Sequence, residues 1–528
     1  MNRRITGLVT LTTAMGLVLA LVGPQVERAV AQAEPGSLQA AIDATPDGST
    51  LTVPSGTYRE SVVIRRPITV AGVGAEIVGS DVWTDWARME TGWRSADAVP
   101  SFQASDSCID PRCAWPEQVF VDGQPMTQVA ADPGPGSFAI DAARHVLLAD
   151  DPTDRLVEVT TRTRWMEIEA PDVTISGLEM RHAATPPQSG ALQVWPGGDR
   201  ARIQEVTLHD AHGALISFQG VTDAALTGSD LRRGGQLAVH AGGTGTHGLR
   251  IIGNHLADSN TEGFDPGWEA GGLKAALAEG LVLQDNVVES NDGPGLWCDI
   301  DCRDITIQGN RVTGNSRAGI HFEISDGADI TDNVVVDNGW GFATWGWGAG
   351  ILVSSSTGAR VTGNTVAWNA DGISVVSQVR GRASGDTVRD VTVEGNTVID
   401  DGTGGVLLGW LQDWSGAMYD AGAANHGRDN AFSSAGMVDC SFEWDGCHGS
   451  VEAFAETPGG AGSRSLTDDE RSATLAESGI ADAPAPHEVN DPPRLRALVP
   501  WVVGGGVVVL LVGGLGVVVI RRRRTSRI

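Results

Sequence analysis

Residues 281–336 read LVLQDNVVESNDGPGLWCDIDCRDITIQGNRVTGNSRAGIHFEISDGADITDNVVV. One phrase, Gly or Asp followed by Asn-x-Val, occurs three times in this stretch, at Asn286, Asn310 and Asn333. Related phrases place Asn254, Asn364 and Asn396 outside it. The successive gaps are 32, 24, 23, 31 and 32 residues, a basic unit of about 24 with insertions. Before each Asn lies an alternating run, such as ITIQGN or VTVEGN. After it come a second short run and then a run led by glycine: GLKAAL, GLWCDI, GIHFEI, GILVSS, GISVVS and GVLLGW.

Three short strands per period, turned at Gly and Asn, describe one coil of a right-handed parallel β-helix. Asn tolerates the left-handed turn conformation and can bond to its counterpart one coil away. Weaker coils continue upstream through VTISGLEM at 173 and ALISFQG at 214. The predicted fold class is therefore all-β, a solenoid with additions at both ends.

Those additions set the domain plan. Arg3 and Arg4, a long apolar run and the small residues AVAQA make 1–33 a secretory signal, cut after Ala31 or Ala33. Residues 34–80 carry a helix capped by Ser37, with Leu38, Ala41 and Ile42 on one face, that can cover the open end of the first coils. Residues 81–165 break the repeat and read as an inserted β-rich subdomain with a hairpin turn at Asp122–Gly123. The β-helix proper is expected over 166–455. Residues 456–498 read as a closing helix, with Thr467 and Glu470 as a capping box, and a Pro-rich stalk. Residues 499–520 are apolar and long enough to span a bilayer as a helix, and the arginine-rich tail 521–528 would stay inside. The expected localisation is a single-pass membrane protein with its β-helix outside the cell.

The opening and the coils, 34–80 and about 166–450, resemble the pectate-lyase-like superfamily of carbohydrate-active β-helix proteins. That resemblance implies the fold and a polysaccharide or glycan as partner. The polygalacturonase motifs (NTD, DD, GHG, RIK) and a pectate-lyase arginine motif are absent, which speaks against those two activities.

Charge narrows the partners further. A net charge of −29 speaks against nucleic acid, whose phosphates need Lys and Arg patches. The chain is expected to be a monomer. It contains one lysine, Lys274. Six cysteines form three local pairs, Cys108/Cys113, Cys440/Cys447 and Cys298/Cys302, expected as disulfides outside the cell. The third pair sits in a strand, where residues four apart are about 13 Å from each other. It closes only if the chain bends early; otherwise Cys298 is a buried thiol.

Register points to a site. Aligning the leading glycines puts Leu273, Leu296, Ile320, Ile351 and Ile373 inward. Alternation then sends Lys274, Trp297, His321, Leu352 and Ser374 outward. The next outward column is Ala276, Asp299, Glu323, Ser354 and Val376, and a third holds Asp301. Coils stack about 4.8 Å apart, so Asp299 and Glu323 should lie side by side, with Asp301 one pleat along. Close carboxylates beside a lysine split their ionisation, as glycoside hydrolysis requires. Asp299 with Glu323 suits a retaining geometry, Asp301 with Glu323 an inverting one. Two insertions flank the cluster. One brings Glu262, Asp265, Trp268 and Glu269; the other brings Trp340, Trp345 and Trp347, rings suited to sugar stacking. Lys274, His321, Trp297, Trp268, Asp265, Glu269, Trp345 and Trp347 would bind substrate. His240 is placed in the second column, two coils above Asp299.

Three functions fit this pattern. The first is a glycoside hydrolase using Asp299, Glu323 and Asp301, with no cofactor. The second is a polysaccharide lyase or C5-epimerase on a uronic-acid polymer, with Ca²⁺ held by Asp299, Asp301 and Glu323. The third is a non-catalytic glycan-binding surface protein.

Overall fold

The computed structural model describes residues 37–380, 387–412, 416–437 and 440–480, with the backbone of 30–32, 502–503 and 506–507. A right-handed parallel β-helix dominates it. One face is a sheet of thirteen strands running from Val62–Ile64 to Cys447–His448, and 24 further strands form the remaining faces. All neighbours on the thirteen-stranded face pair in parallel except the final pair.

The repeat phrase has a physical cause. The backbone N–H and side-chain amide of each repeat Asn donate to the Oδ1 of the Asn one coil on. For Asn310 and Asn333 these bonds are 2.9 and 3.0 Å. The ladder runs from Asn254 to Asn430, one rung beyond the sequence phrase. A second ladder, Asn291, Asn315, Asn338 and Asn369, lies five residues after the first in each coil. It also explains the leading glycines. A Cβ on Gly295 would stand 2.6 Å from the Gly319 carbonyl oxygen and 2.9 Å from the Asn315 amide. Only glycine lets the third strand start this close to the amide column. Inside, Leu273, Leu296, Ile320, Ile351 and Ile373 pair rung to rung and are at most 1% exposed.

At the N-terminal end, the helix Leu38–Ala44 starts at Ser37, whose hydroxyl accepts from the Ala40 N–H at 3.1 Å. Leu38 and Ile42 enter the core beside Leu51 and Val62. The backbone of Val30–Gln32 adds a parallel strand to Thr50–Val53, and both cleavage positions read from the sequence lie in or next to it. Between Ser80 and Thr160 two further sheets interrupt the stack, antiparallel except for the edge strand Thr127–Gln128, which pairs parallel with Ser137–Ile140. Asp122 and Gly123, with φ of 52° and 76°, turn a hairpin between Val119–Val121 and Gln124–Pro125. These sheets have their own core around Phe138, Val146 and Val157.

The C-terminal elements depart from expectation in two places. The helix Asp468–Glu477 carries the Thr467/Glu470 capping box. It does not close the far end, because Leu475 and Ile480 pack laterally against Val336, Trp368 and Ile399. The end is covered by Val451–Ala455, whose Phe454 meets Phe432 and Phe442. Among the described residues no helix is long and apolar enough to cross a membrane. Within the predicted span 499–520, Val502–Val503 pairs antiparallel with Gly506–Val507 instead of continuing a helix. Consecutive glycines at 504–506, flanked by β-branched valines, lower helix propensity at that point. The rest of that span, the signal segment before residue 30 and the tail 521–528 lie outside the described residues.

The Asn ladder makes a stability prediction. Asn310→Ala removes one rung and takes away the acceptor of the buried Asn286 N–H and the side-chain donor to the Leu283 carbonyl oxygen, so it should cost about 2–3 kcal/mol. Arg360→Ala, which breaks an exposed ion pair with Asp329, should cost less than about 1 kcal/mol. Chemical denaturation of both variants checks the contrast.

Candidate active site

Register brings the predicted cluster together. Lys274 pairs with Trp297, and Trp297 with His321, on three successive coils. Asp299 and Glu323 end the strands Leu296–Asp299 and Ile320–Glu323, side by side in the second column. Lys274, Trp297, Asp299, His321 and Glu323 are all 4–6% exposed.

Contacts within the cluster are specific. The Lys274 ammonium lies 3.0 Å from Asp299 Oδ2, 2.8 Å from the Trp268 carbonyl oxygen and 3.8 Å from the centre of the Trp297 ring. The other face of the column continues the stack, with the His321 ring parallel to Trp297 at 5.5 Å. Trp297 Nε1 donates to Glu323 Oε2 at 3.1 Å. Arg380 closes on Glu323 Oε1. His321 Nε2 lies 3.0 Å from the Ser354 hydroxyl and 3.6 Å from Glu323. Asp299 Oδ1 is buried and has no hydrogen-bond partner among the described residues.

These contacts separate the two acids. Burial pushes Asp299 above its ordinary range, with Lys274 pulling it partly back and Glu323 adding to the rise. Burial acts on Glu323 in the same direction, but His321 and Arg380 outweigh it and hold this carboxyl below its ordinary range. His321 is itself driven down to about 4 by burial, so at neutral pH it is uncharged. Arg380 and the Lys274 charge, which persist at that pH, then keep Glu323 ionised. The result is one carboxyl biased toward its proton beside one biased against it.

Other predicted residues take different places. Asp301 leaves the column. Ile300 and Asp301 both adopt left-handed conformations, φ 48° and 54°, so the strand stops at Asp299 and both side chains face solvent. The same bend carries Cys302 into the core behind Cys298. There the two are fully buried free thiols, not a disulfide. The Cys302 thiol is turned to the carbonyl oxygens of Asp299 (3.4 Å) and Ala275 (3.6 Å), and both cysteines fill the core as small apolar side chains. The other two pairs, Cys108–Cys113 and Cys440–Cys447, are bonded. With Asp301 turned away, the acids do not form the three-ligand set the calcium reading needs. The one cluster close enough for an ion among the described residues is Cys440, Glu443 and Cys447, and its cysteines are bonded to each other.

The tryptophans pack more than they display. Trp268 is half-buried against Cys113, Phe264 and Ala270. Trp347 packs on Leu352 and Val376 and meets His321 edge-on at 5.9 Å. Trp340 bonds the Trp368 carbonyl oxygen. Trp345 is exposed and touches neither acid. Asp265 accepts from the Gly267 N–H and shapes its own turn.

Glu269 joins the site. It lies 3.9 Å from Lys274 and 3.1 Å from His240. His240 stands in the first column, directly beside Lys274 in register, not in the second. Burial would raise Glu269, but the His240 hydrogen bond and the His240 and Lys274 charges outweigh it and keep the carboxyl below its usual range. The insertion that carries Glu269 is gripped by the inserted subdomain. The N–H groups of Ile109 and Asp110 both donate to the Gly263 carbonyl oxygen at 3.0 Å, and Cys108 bridges to Phe264. Sequence reasoning missed Arg380 and this grip, since both join segments remote in the chain. It could have placed His240 in the right column by aligning Leu237 with Gly271, since His240 and Lys274 each lie three residues further on.

The thiols give a direct check. Alkylation of denatured, unreduced protein should modify two of the six cysteines, Cys298 and Cys302, by mass spectrometry. Modification of neither would contradict the free pair.

Comparison with known proteins agrees with this architecture. The family model described as "Right handed beta helix region" matches residues 190–366. No curated protein sequence matches the chain. Among solved structures, "The complex structure of XylC with xylose" aligns at TM-score 0.51 and 16% identity, over 75% of this chain and 80% of that one. The mannuronan C-5 epimerase AlgE6 A-module of Azotobacter vinelandii aligns at TM-score 0.46 and 13% identity, over 81% and 92% of the two chains. A structure titled "Glycoside hydrolase" aligns at TM-score 0.40 and 10% identity, over 73% and 89%. With parallel register along the whole stack and a matching model across its centre, this chain is a right-handed parallel β-helix protein.

Proposed function

We propose that the protein is a glycan-cleaving hydrolase in which Asp299 is the general acid and Glu323 the ionised partner. The observation that carries this reading is a pair of buried carboxyls on adjacent coils, Asp299 beside Lys274 and Glu323 held by Arg380 and the Trp297 indole, whose surroundings bias them in opposite directions. Glycosidic cleavage needs one group that still holds a proton and one that has lost it. Neighbouring coils set the two strands about 4.8 Å apart, which favours a retaining reaction. Asp299 gives its proton to the glycosidic oxygen as the bond to the anomeric carbon breaks. Glu323 attacks that carbon to form a glycosyl ester. Asp299, now ionised, takes a proton from the water that hydrolyses the ester. Lys274 steadies the Asp299 anion formed in between, and Arg380 must release Glu323 Oε1 for the attack.

A neutral glycan suits the local charges better than a uronate polymer. With Asp299 protonated, Lys274 is matched by the ionised Glu269 carboxylate, and Arg380 is matched by Glu323. Neither Lys274 nor Arg380 is left free to neutralise a substrate carboxylate, as elimination or epimerisation would require.

Asp299→Asn and Glu323→Gln should each lower turnover at least about a hundredfold on whichever neutral polysaccharide the wild type cleaves. A panel of neutral and uronic polysaccharides, read by new reducing ends and by ultraviolet absorbance, decides between hydrolysis and elimination. Turnover that survives both substitutions would overturn the assignment. The pH profile adds a sign. The acid limb reports Glu323 losing its charge, and the alkaline limb reports Asp299 losing its proton. Removing Arg380 (Arg380→Ala) lets Glu323 rise, so the acid limb should move to higher pH. Removing Lys274 (Lys274→Met) lets Asp299 rise further, so the alkaline limb should also move to higher pH.

A further inference from the structure

An open cleft of about 430 Å³ lies on the same sheet face, one coil before Lys274. Gln188, Pro196, Gln219, His240 and Thr244 line it. It does not reach Asp299 or Glu323. Its floor is built and held. His240 Nδ1 lies 2.9 Å from the Ser217 hydroxyl, and Nε2 lies 3.1 Å from Glu269 Oε1. Gln188 bonds the other Glu269 oxygen, and Gln236 donates to the Glu269 carbonyl oxygen at 2.7 Å. Glu269 is only 7% exposed, and none of the groups on the cleft floor carries an unmatched charge.

The preorganised floor presents an imidazole face, amides and a hydroxyl, which match the ring face and hydroxyls of an uncharged sugar. A drug- or sugar-sized ligand fits a cleft of this volume. Both ring nitrogens of His240 are occupied, so it serves as a fixed wall and not as a base. Ser217 is fully buried and does not line the cleft, so the Ser217–His240–Glu269 chain positions the wall and has no nucleophilic role.

We infer that this cleft is a distal sugar subsite of the hydrolase proposed above, on which the inference rests, and that the glycan runs along the helix axis. From His240 to Asp299 the register counts two coils and one two-residue step, about 12 Å. That is longer than one sugar unit, so the cleft holds a residue away from the bond being broken. Glu269 is a positioning residue shared by both ends, held to His240 on one side and near Lys274 on the other.

The test uses the full chain and Thr244→Trp, which fills the cleft from an exposed loop position. Neutral oligosaccharides of two, four and six units from xylan, glucan, mannan and galactan serve as probes, in turnover assays and calorimetry. The expected result is a KM for the hexasaccharide raised tenfold or more by Thr244→Trp, with a smaller loss on the disaccharide. Turnover with the hexasaccharide KM unchanged would overturn the subsite and leave the hydrolase standing. Binding without turnover, weakened by Thr244→Trp, would keep the subsite and sink the hydrolase. Neither binding nor turnover of any probe would overturn both. Gln219→Ala, a second lining position that is half-buried, should move the same constants in the same direction, and a merely structural effect would not scale with chain length.

Discussion

Coil-to-coil register is the constraint on which everything else depends. Two amide ladders fix the height of each coil, and the leading glycines let the third strand begin in contact with one of them. A slip of one residue would exchange the inward and outward sets on that strand. Leu296 and Cys298 would then face solvent, and Trp297 and Asp299 would enter the core. The chemistry of the face is therefore written into the same contacts that build the solenoid.

Given that register, the electrostatics follow from what each coil happens to present. Lys274, the chain's one lysine, stands diagonally from Asp299 and stacks its ammonium on Trp297. The indole passes the arrangement on, donating to Glu323 while stacking against His321. Each carboxyl thus meets a different cation in the same buried layer. Burial raises both; His321 and Arg380 outweigh it at Glu323, Lys274 does not at Asp299, and that difference separates them. Two segments distant in the chain complete the layer. The inserted subdomain holds the loop that brings Glu269 and the Trp268 carbonyl oxygen, and the coil carrying Arg380 closes on Glu323 from the other side.

Much of this was legible in the sequence because the solenoid is periodic. Asn spacing gave the coil length, and alternation after each glycine gave the columns that hold Lys274, Trp297, His321, Asp299 and Glu323. Errors arose where periodicity ends. Asp301 was extended into a third column, whereas two left-handed residues end the strand one position earlier. For Cys298 and Cys302 the sequence leaves a disulfide and a buried thiol both open; the chain does bend early, and the bend packs both thiols into the core unbonded. Residue type and loop position make the tryptophans candidates for open sugar platforms. Most of them pack under their loops, a matter of tertiary contact that no local pattern reports. Arg380 was invisible for the same reason, since its partner lies 57 residues away.

The central claim is that the two carboxyls of this layer hold their protons unequally. An infrared pH titration of wild type, differenced against Asp299→Asn and Glu323→Gln to assign the two carboxyl bands, tests it without any substrate. The account predicts that the Asp299 band converts to carboxylate at a higher pH than the Glu323 band. Conversion in the reverse order, or of both together at an ordinary carboxyl pH, would contradict it.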